Sequence, residues 1–424
     1  MTRYLILGIS AAGLSAIDAI RQRDPDGQIT VVSKEPEPCY SRVALPYLIA
    51  GEKNLGQITL QPAEYFQRQN VEVVWGVGAA ALDAASKQVR LEDGRILSYD
   101  KLLIATGSRS RVPPVQGIGE AEVCYHWTLA DARRIEQASE GAQHCFVIGA
   151  GFISLLTINA LLKRAHLRYT VVEIADQVMP QLLDEAAGRR LEEEMRKLGI
   201  EVLLGDAVTA IERGRNGRYV IHLRSGQERQ ADMIVCGTGV EPNVQFLEGS
   251  GLEIGRGVKT NERQETSLPD VYAAGDCAET RDFLSGEAVV HAIWPTAVEQ
   301  GRVAGANMAG DSLTYPGSLS WNVTELFGWA CASVGQFREG PGLEPIVFYN
   351  PSTGVYRKIL LDGEDRVVGV VVIGRGQDVQ ELGVLQSLIR RRSSVSRWKR
   401  HLAGERVNYG MMAYESLKAQ MAKS

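Results

Sequence analysis

The feature that most constrains the fold of this chain is a glycine-rich pattern that occurs twice, at Tyr4–Gly13 and at Cys145–Ser154. In each copy a short apolar run leads into a tight glycine turn and then into a segment with the apolar period of a helix. A second run typical of a buried strand follows each helix, at Gln28–Val32 and at Tyr169–Glu173. This order of strand, turn, helix and strand predicts two dinucleotide-binding βαβ units in one chain.

The segments that follow each unit indicate how the rest of the chain is organised. Tyr99–Gly107 and Ala231–Gly239 each have the pattern of a buried strand that ends in a glycine turn, and Leu268–Cys277 adds another. From about Ser318 we expect strands and a helix in the order Gly354–Leu361, Val367–Ile373 and Val379–Arg391. The sequence therefore predicts an α/β fold with two Rossmann-like dinucleotide-binding domains and a small α+β C-terminal domain.

Composition excludes several classes of protein. The formal net charge of -5 gives no overall attraction to nucleic acid. No apolar run is long enough to cross a bilayer, so we expect no membrane span. The 6 cysteines have no CxxC or metal-ligand spacing, which argues against a disulfide scaffold, a zinc site or an iron–sulfur cluster on this chain. Such cysteine usage suits a reducing compartment, and we expect a cytoplasmic protein.

The first glycine turn is expected to bind a pyrophosphate. Gly8 provides the tight turn, Gly13 allows close contact between helix and strand, and Ser10 replaces the middle glycine as a possible donor to phosphate. The acidic residue that binds the ribose is expected near the end of the second strand. Strict spacing gives Ser33 and a slightly longer one gives Glu35; we assign Glu35 and leave Ser33 open. The alternative is a glycine turn without a ligand.

The second turn keeps Gly149 and Gly151 and has Ser154 in place of the third glycine. Glu173 ends the strand that follows. A carboxylate there accepts the ribose hydroxyls and repels a 2′-phosphate, and no arginine directly follows it, so we predict NAD rather than NADP. An ordinary charge at a strand end is the alternative. The residues assigned to NAD also include Phe152, Ile153 and Gly239.

A third motif points to a flavin. In Gly275-Asp276 a turn at a strand end places a carboxylate where it can bind the ribityl hydroxyls of the cofactor. Downstream, Pro295 precedes Thr296, which we interpret as the N-cap of a helix. The N-terminus of that helix would stabilise the anionic reduced ring at its pyrimidine edge. A capped amphipathic helix without a ligand is the alternative.

Three segments in this order, YDKLLIATGSR, GAGFIS with Glu173, and LPDVYAAGDC, resemble the FAD- and NAD-dependent pyridine nucleotide oxidoreductases. This family includes NADH oxidases, rubredoxin and ferredoxin reductases, and CoA-disulfide reductases. The resemblance implies an FAD domain at 1–115 and 245–317, split by an NAD domain at 116–244, and a C-terminal interface domain with a basic tail at 318–424. It also implies an FAD site that contains Gly8, Ser10, Ala12, Gly13, Arg42, Ala105, Thr106, Gly107, Asp276, Pro295 and Thr296.

The chain departs from the family at two functional positions. In the disulfide-active and peroxidatic branches, a redox cysteine stands where this chain has Val43. Cys39 lies nearby but has no partner cysteine, so we expect no thiol relay, and we assign no certain catalytic residue besides the flavin itself. Many relatives also have a glutamate close to the flavin at the position of Leu156, which puts the usual Glu–Lys pair in doubt.

Without a thiol, electrons must leave the flavin by another route. Within the family, the chain most resembles the flavin subunits of phenylglyoxylate oxidoreductases, which are CoA-acylating 2-oxoacid enzymes. This implies a hetero-oligomer in which iron–sulfur and thiamine-containing partner subunits supply electrons for NAD. Three alternatives remain open. They are electron transfer in the reverse direction to a ferredoxin or rubredoxin, a stand-alone NADH oxidase or quinone reductase, and a module that binds NAD(H) without electron transfer. The basic cluster around Arg390–Arg392 suits either an acidic partner or a solvated helix face.

Overall fold

The computed structural model describes residues 1–214, 217–407 and 410. The chain divides into two compact units. The first unit contains Met1–Arg111, Trp127–Ala132 and Gly239–Leu319. The second unit contains Val112–His126, Arg133–Thr238 and the chain from Ser320 onward. Most of the predicted basic tail lies outside the described residues, and the domain boundaries given above stay predictions.

Residues 1–111 begin with the first predicted βαβ unit. Strand β1 (Arg3–Leu7) leads into helix α1 (Ala11–Arg21) and strand β2 (Gln28–Ser33). Short helices follow at α2 (Leu45–Ile49), α3 (Leu55–Ile58) and α4 (Ala63–Arg68). The remaining strands of this stretch are β3 (Val71–Trp75), β4 (Ala79–Asp83), β5 (Gln88–Leu91), β6 (Ile96–Ser98), β7 (Lys101–Ile104) and β8 (Ser108–Ser110).

The next stretch contains the second predicted βαβ unit. After α5 (Leu129–Ser139), strand β9 (His144–Ile148), helix α6 (Phe152–Arg164) and strand β10 (Arg168–Glu173) follow in the expected order. The other elements up to residue 238 are α7 (Glu185–Lys197), β11 (Glu201–Leu204), β12 (Val208–Arg213), β13 (Tyr219–Leu223), β14 (Glu228–Ala231) and β15 (Met233–Cys236).

The chain then returns to the first unit and ends in the second. The first unit receives β16 (Val240–Pro242), β17 (Val258–Lys259), β18 (Val271–Ala273), β19 (Ala278–Arg281), β20 (Ala288–Val289) and α8 (Trp294–Met308). The second unit receives β21 (Trp321–Leu326), β22 (Trp329–Gly335), β23 (Glu344–Tyr349), β24 (Tyr356–Leu361), β25 (Val367–Gly374) and α9 (Leu382–Arg391).

The first unit is built on a five-stranded parallel sheet with the order β18-β7-β1-β2-β3. In the register of this sheet, Leu7 of β1 pairs with Val32 on one side and Ile104 on the other. Strands β1, β7 and β18 are buried on both faces, which explains why they are continuous apolar runs rather than alternating ones. Because the strands are parallel, the turns that follow β1, β7 and β18 lie at the same edge of the sheet.

The second unit contains a four-stranded parallel sheet with the order β11-β10-β9-β15. Its carboxyl edge carries the second glycine turn after β9 and Glu173 at the end of β10. The C-terminal part forms a five-stranded antiparallel sheet, β21-β22-β25-β24-β23, followed by α9. The predicted α/β class with two Rossmann-like units and a small α+β C-terminal part is confirmed.

One local prediction is wrong. Helix α8 begins at Trp294 with Ile293 as its N-cap, so Thr296 lies inside the first turn and does not cap the helix. The physical reason is Pro295, which has no N–H to satisfy and whose fixed φ suits the first turn. The helix therefore starts before the proline instead of after it.

Candidate functional site

The first glycine turn has the shape that a pyrophosphate cradle requires. Gly8 has φ +117, and a Cβ there would lie 2.0 Å from the carbonyl oxygen of Ala105. A Cβ at Gly13 would lie 2.0 Å from the carbonyl oxygen of Gly8, so neither position accepts a side chain. Ser10 is the N-cap of α1 and makes no side-chain capping hydrogen bond, and the first turn holds no acidic residue. The helix N-terminus is therefore suited to phosphate.

One side chain bonds Asp276 directly, and a second side chain bonds the residue before it. The Ser108 hydroxyl donates to a carboxylate oxygen of Asp276 at 2.7 Å. The preceding residue, Gly275, has φ +80 and donates its N–H to the side-chain oxygen of Gln300 at 2.8 Å. Burial raises the pKa of Asp276, and the hydrogen bond from Ser108 opposes that rise. The carboxylate is thus fixed at the carboxyl edge of the sheet.

The turn after β7 is locked by Asn243. The Thr106 hydroxyl donates to the carbonyl oxygen of Asn243 at 2.8 Å, and the Asn243 amide donates to the carbonyl oxygen of Thr106 at 3.0 Å. Gly107 has φ +67, and nothing lies within 4 Å of the position its Cβ would take. Ala105 is buried and donates its N–H to Leu7. The turn therefore leaves open space beside Gly107 for a ligand.

The second predicted carboxylate of the first unit, Glu35, is engaged by two neighbours. The Tyr40 hydroxyl donates to one oxygen at 2.6 Å, and Arg42 pairs with the other. The Ser33 hydroxyl donates to the backbone carbonyl oxygen of Glu35 at 2.9 Å. Arg42 also donates to the carbonyl oxygen of Trp127 at 2.6 Å. The structure thus brings the predicted residues Glu35 and Arg42 together, while Ser33 supports the turn.

In the second unit, the glycine turn and Glu173 form one assembly. Gly149 has φ +93, and a Cβ there would lie 2.8 Å from the carbonyl oxygen of Gly237. Glu173 is 8% exposed, and its two oxygens accept the N–H groups of Ala150 at 2.7 Å and Ala175 at 3.0 Å. Helix α6 starts at Phe152 without an acidic residue in its first turn. This geometry fits a dinucleotide with its ribose near the carboxylate.

The other predicted residues fall into place around these turns. In the first unit, Ala12 is buried in α1, and Pro295 and Thr296 lie in the first turn of α8. In the second unit, Ile153 follows Phe152 in the first turn of α6, with Gly151 as the N-cap. Gly239, which we assigned to NAD, has φ +101 and belongs to the first unit.

The cysteines have the environment of packing residues. All 6 are free and buried. The Cys39 thiol donates to the carbonyl oxygen of Ile9 at 2.8 Å, and burial raises its pKa to about 12. At the position of the family's redox cysteine, Val43 is 63% exposed. A thiol with so high a pKa is a poor nucleophile, and Leu156 in α6 carries no charge.

Sequence reasoning missed four residues that hold the predicted ones in position. Ser108 directly follows the predicted Ala105–Gly107 turn, and Gln300 lies one helical turn after Thr296, so local spacing could have indicated both. The other two, Trp127 and Asn243, are distant in sequence from their partners and gave no such signal.

Residues 2–301 match the family model of the pyridine nucleotide-disulphide oxidoreductases. The chain belongs to this family. It is 34% identical over 399 residues to NADH-dependent phenylglyoxylate dehydrogenase subunit epsilon of Aromatoleum evansii, covering 93% of each chain. It is 31% identical over 401 residues to NADH oxidase of Methanocaldococcus jannaschii, covering 89% of each. The solved NAD-dependent persulfide reductase of A. fulgidus has a TM-score of 0.84 and 29% identity, over 93% of this chain and 78% of that one.

As a member of the pyridine nucleotide-disulphide oxidoreductases, the protein is a flavoprotein oxidoreductase that works with FAD and NAD. The predicted family and both predicted cofactors are confirmed. Among the described residues, no helix has the length and apolar character that crossing a membrane requires.

Proposed function

We propose that this chain is the flavin subunit of a 2-oxoacid oxidoreductase and passes electrons from iron–sulfur and thiamine-containing partner subunits to NAD. The observation that carries the proposal is the similarity to the phenylglyoxylate dehydrogenase subunit, which extends over 93% of both chains. The site residues support it, because the chain offers a flavin cradle but no thiol that could carry the electrons onward. The substrate proposed for the complex is phenylglyoxylate.

In this proposal the first unit holds FAD. The Gly8–Gly13 turn and Ser10 bind the pyrophosphate, Glu35 with Arg42 binds at the adenosine ribose, and Asp276 binds the ribityl hydroxyls. The Ala105–Gly107 turn and the start of α8 at Pro295 and Thr296 complete the flavin site. FAD held by these residues would supply the redox chemistry, which is hydride exchange with NAD and single-electron exchange with a metal centre.

The second unit holds NAD in the same proposal. Its glycine turn binds the pyrophosphate, and Glu173 binds the ribose hydroxyls and excludes a 2′-phosphate. The residues that we assign to NAD are Gly149, Gly151, Phe152, Ile153 and Gly239. The proposed domain boundaries remain 1–115 with 245–317 for FAD, 116–244 for NAD and 318–424 for the partner interface.

The partner proposal is tested by isolating the protein gently from its source. We expect it to be recovered with subunits that contain iron, acid-labile sulfide and thiamine diphosphate, and to reduce NAD when phenylglyoxylate and CoA are added. Recovery of the chain alone, with no phenylglyoxylate-dependent NAD reduction in any fraction, would contradict the proposal.

A second candidate is a stand-alone NADH oxidase, which the similarity to the Methanocaldococcus jannaschii protein favours. The two candidates differ in what the isolated chain does with oxygen. Under the subunit proposal, NADH bleaches the flavin without air, but turnover with oxygen as acceptor stays slow. Rapid oxygen consumption by the isolated chain, at rates typical of enzymes, would favour the oxidase instead.

A further inference from the structure

A continuous chain of polar contacts joins Glu35 to Asp276 within the first unit. Glu35 pairs with Arg42, and Arg42 donates to the carbonyl oxygen of Trp127 at 2.6 Å. The Trp127 indole N–H donates to the carbonyl oxygen of Ser108 at 2.6 Å. The Ser108 hydroxyl then donates to Asp276 at 2.7 Å. The carboxylates assigned to the adenosine ribose and to the ribityl hydroxyls of FAD are thus connected through one tryptophan.

The segment that carries Trp127 is itself firmly held. Trp127–Ala132 belongs to the first unit, although the chain on both sides of it belongs to the second. Thr128 and Asp131 cap each other's backbone N–H groups at 2.9 and 3.1 Å. Leu129 is buried and donates its N–H to the Tyr40 hydroxyl at 2.8 Å, the same hydroxyl that binds Glu35. The backbone that carries the indole is therefore fixed, so the indole N–H is held in position to bind Ser108.

The contacts lie where solvent competes weakly. The side chains of Arg42 and Glu35 are 31% and 23% exposed, and Ser108 is buried. A donor left without its acceptor in such a place costs more than an exposed one, so the members of the chain constrain one another. Trp127 links Arg42 to Ser108 because its backbone carbonyl oxygen binds Arg42 and its indole N–H binds Ser108.

We propose that Trp127 is a positioning residue of the FAD site, which holds Ser108 so that its hydroxyl fixes Asp276 for the ribityl side chain. This inference rests on the assignment of FAD to the first unit under the proposed function. Trp127 acts through Ser108, so its contribution to FAD binding depends on the Ser108 hydroxyl.

The test measures the rate at which FAD leaves the holoenzyme after dilution. The recovery of FAD fluorescence reports this rate. The variant Trp127→Phe removes the indole N–H but keeps an aromatic ring and the backbone carbonyl that Arg42 uses. We expect W127F and S108A each to release FAD about 5- to 30-fold faster than the wild type. S108T, which restores a hydroxyl, is expected to release FAD at nearly the wild-type rate. The control W75F changes a tryptophan of β3 that takes no part in the chain, and should match the wild type.

The double variant decides the mechanism. If Trp127 acts through Ser108, the W127F/S108A protein releases FAD no faster than S108A alone. Multiplied effects, or a wild-type release rate in W127F, would overturn the inference. Equal increases in the FAD release rate in W127F and W75F would also overturn it, because both variants would then reflect a general loss of packing. Failure of the proposed function would be seen separately, as a wild-type flavin that NADH does not bleach.

Discussion

The carboxylate of Glu173 accepts the backbone N–H of Ala150 at 2.7 Å, so the end of β10 and the second glycine turn are joined before any ligand binds. The other oxygen accepts the N–H of Ala175. Glu173 therefore shapes the turn, and in the proposed NAD site it would also present negative charge to the ribose. A substitution that removes the charge and one that removes the acceptor should have different consequences.

We first predict that Glu173→Ala weakens NAD binding while FAD stays bound. The loss of both backbone contacts and of the ribose partner should raise the KM for NADH by about 10-fold or more. Glu173→Gln keeps one acceptor oxygen and lacks the charge that repels a 2′-phosphate, so it should raise kcat/KM for NADPH relative to NADH. Steady-state kinetics with both nucleotides measures this, with flavin absorbance as the control. An unchanged KM for NADH in the alanine variant would show that the NAD assignment is wrong.

A second prediction concerns Gly8, where backbone conformation and close approach act together. Gly8→Ala places a Cβ against the carbonyl oxygen of Ala105 and should abolish FAD retention. The matched control is Gly94→Ala, which also has positive φ, +88, but nothing within 4 Å of the new Cβ. The control should lose about 1–2 kcal/mol of stability from backbone strain alone and keep its FAD. Thermal unfolding and flavin content measure both, and FAD retention in G8A at the level of G94A would contradict the assignment.

Acid should release FAD through Asp276. Because burial raises the pKa of this carboxyl, it takes up a proton at a higher pH than an exposed aspartate does. The protonated group loses acceptor capacity for hydroxyls, so FAD release should accelerate as the pH falls through the raised pKa. In the protein without FAD, the folded state binds this proton more readily than the unfolded chain, so the contribution of Asp276 to the free energy of unfolding decreases as the pH rises through the same window.

The pH dependence of FAD release also distinguishes the effect of Ser108 from the effects of the other site residues. Its hydrogen bond lowers the pKa of Asp276, so Ser108→Ala should shift the acid release of FAD to higher pH. Fluorescence of FAD released from the holoenzyme across a pH series measures the shift. A variant that releases FAD faster at every pH, with no displacement of the midpoint, would show that Ser108 acts without changing the ionisation of Asp276.

Gln300 offers a fourth prediction about the same turn. The side-chain oxygen of Gln300 accepts the N–H of Gly275, and Gln300 is 1% exposed. The substitution Gln300→Leu therefore leaves a buried donor unpaired. We expect about 5- to 30-fold faster FAD release in Q300L and partial recovery in Q300E, which keeps an acceptor oxygen. The control is Gln264→Leu, because the buried amide of Gln264 has no hydrogen-bond partner among the described residues. Equal loss of FAD in Q300L and Q264L would show that only core packing matters.

The architecture of the βαβ units could be predicted because local signals decide it. The apolar runs of β1 and β9, the glycines after them and the helix periods are all contiguous in sequence. The position of Thr296 was mistaken because two local rules competed there, and the preference of proline for the first helical turn won over the capping preference of threonine.

The contacts that hold the site were harder to predict, since they join distant parts of the chain. The Trp127–Ser108 and Asn243–Thr106 hydrogen bonds depend on how the chain returns to the first unit, which no local pattern encodes. Glu35 was predicted as the acidic residue near the end of β2, two residues beyond the strict spacing, and the structure adds that Arg42 and Tyr40 share its two oxygens. Pairing of this kind follows from tertiary packing rather than from propensity.

A last prediction tests whether any thiol takes part in electron transfer. Cys39 is 3% exposed, and its pKa is raised to about 12, so the wild-type enzyme should resist N-ethylmaleimide. Cys39→Ala should keep NADH-driven flavin reduction within about 2-fold, because the cavity it leaves affects stability more than chemistry. The positive control is Val43→Cys, which puts a thiol at a 63% exposed position and should react with one equivalent of the reagent. Rapid inactivation of the wild type by N-ethylmaleimide, prevented in the C39A variant, would show that Cys39 carries electrons after all.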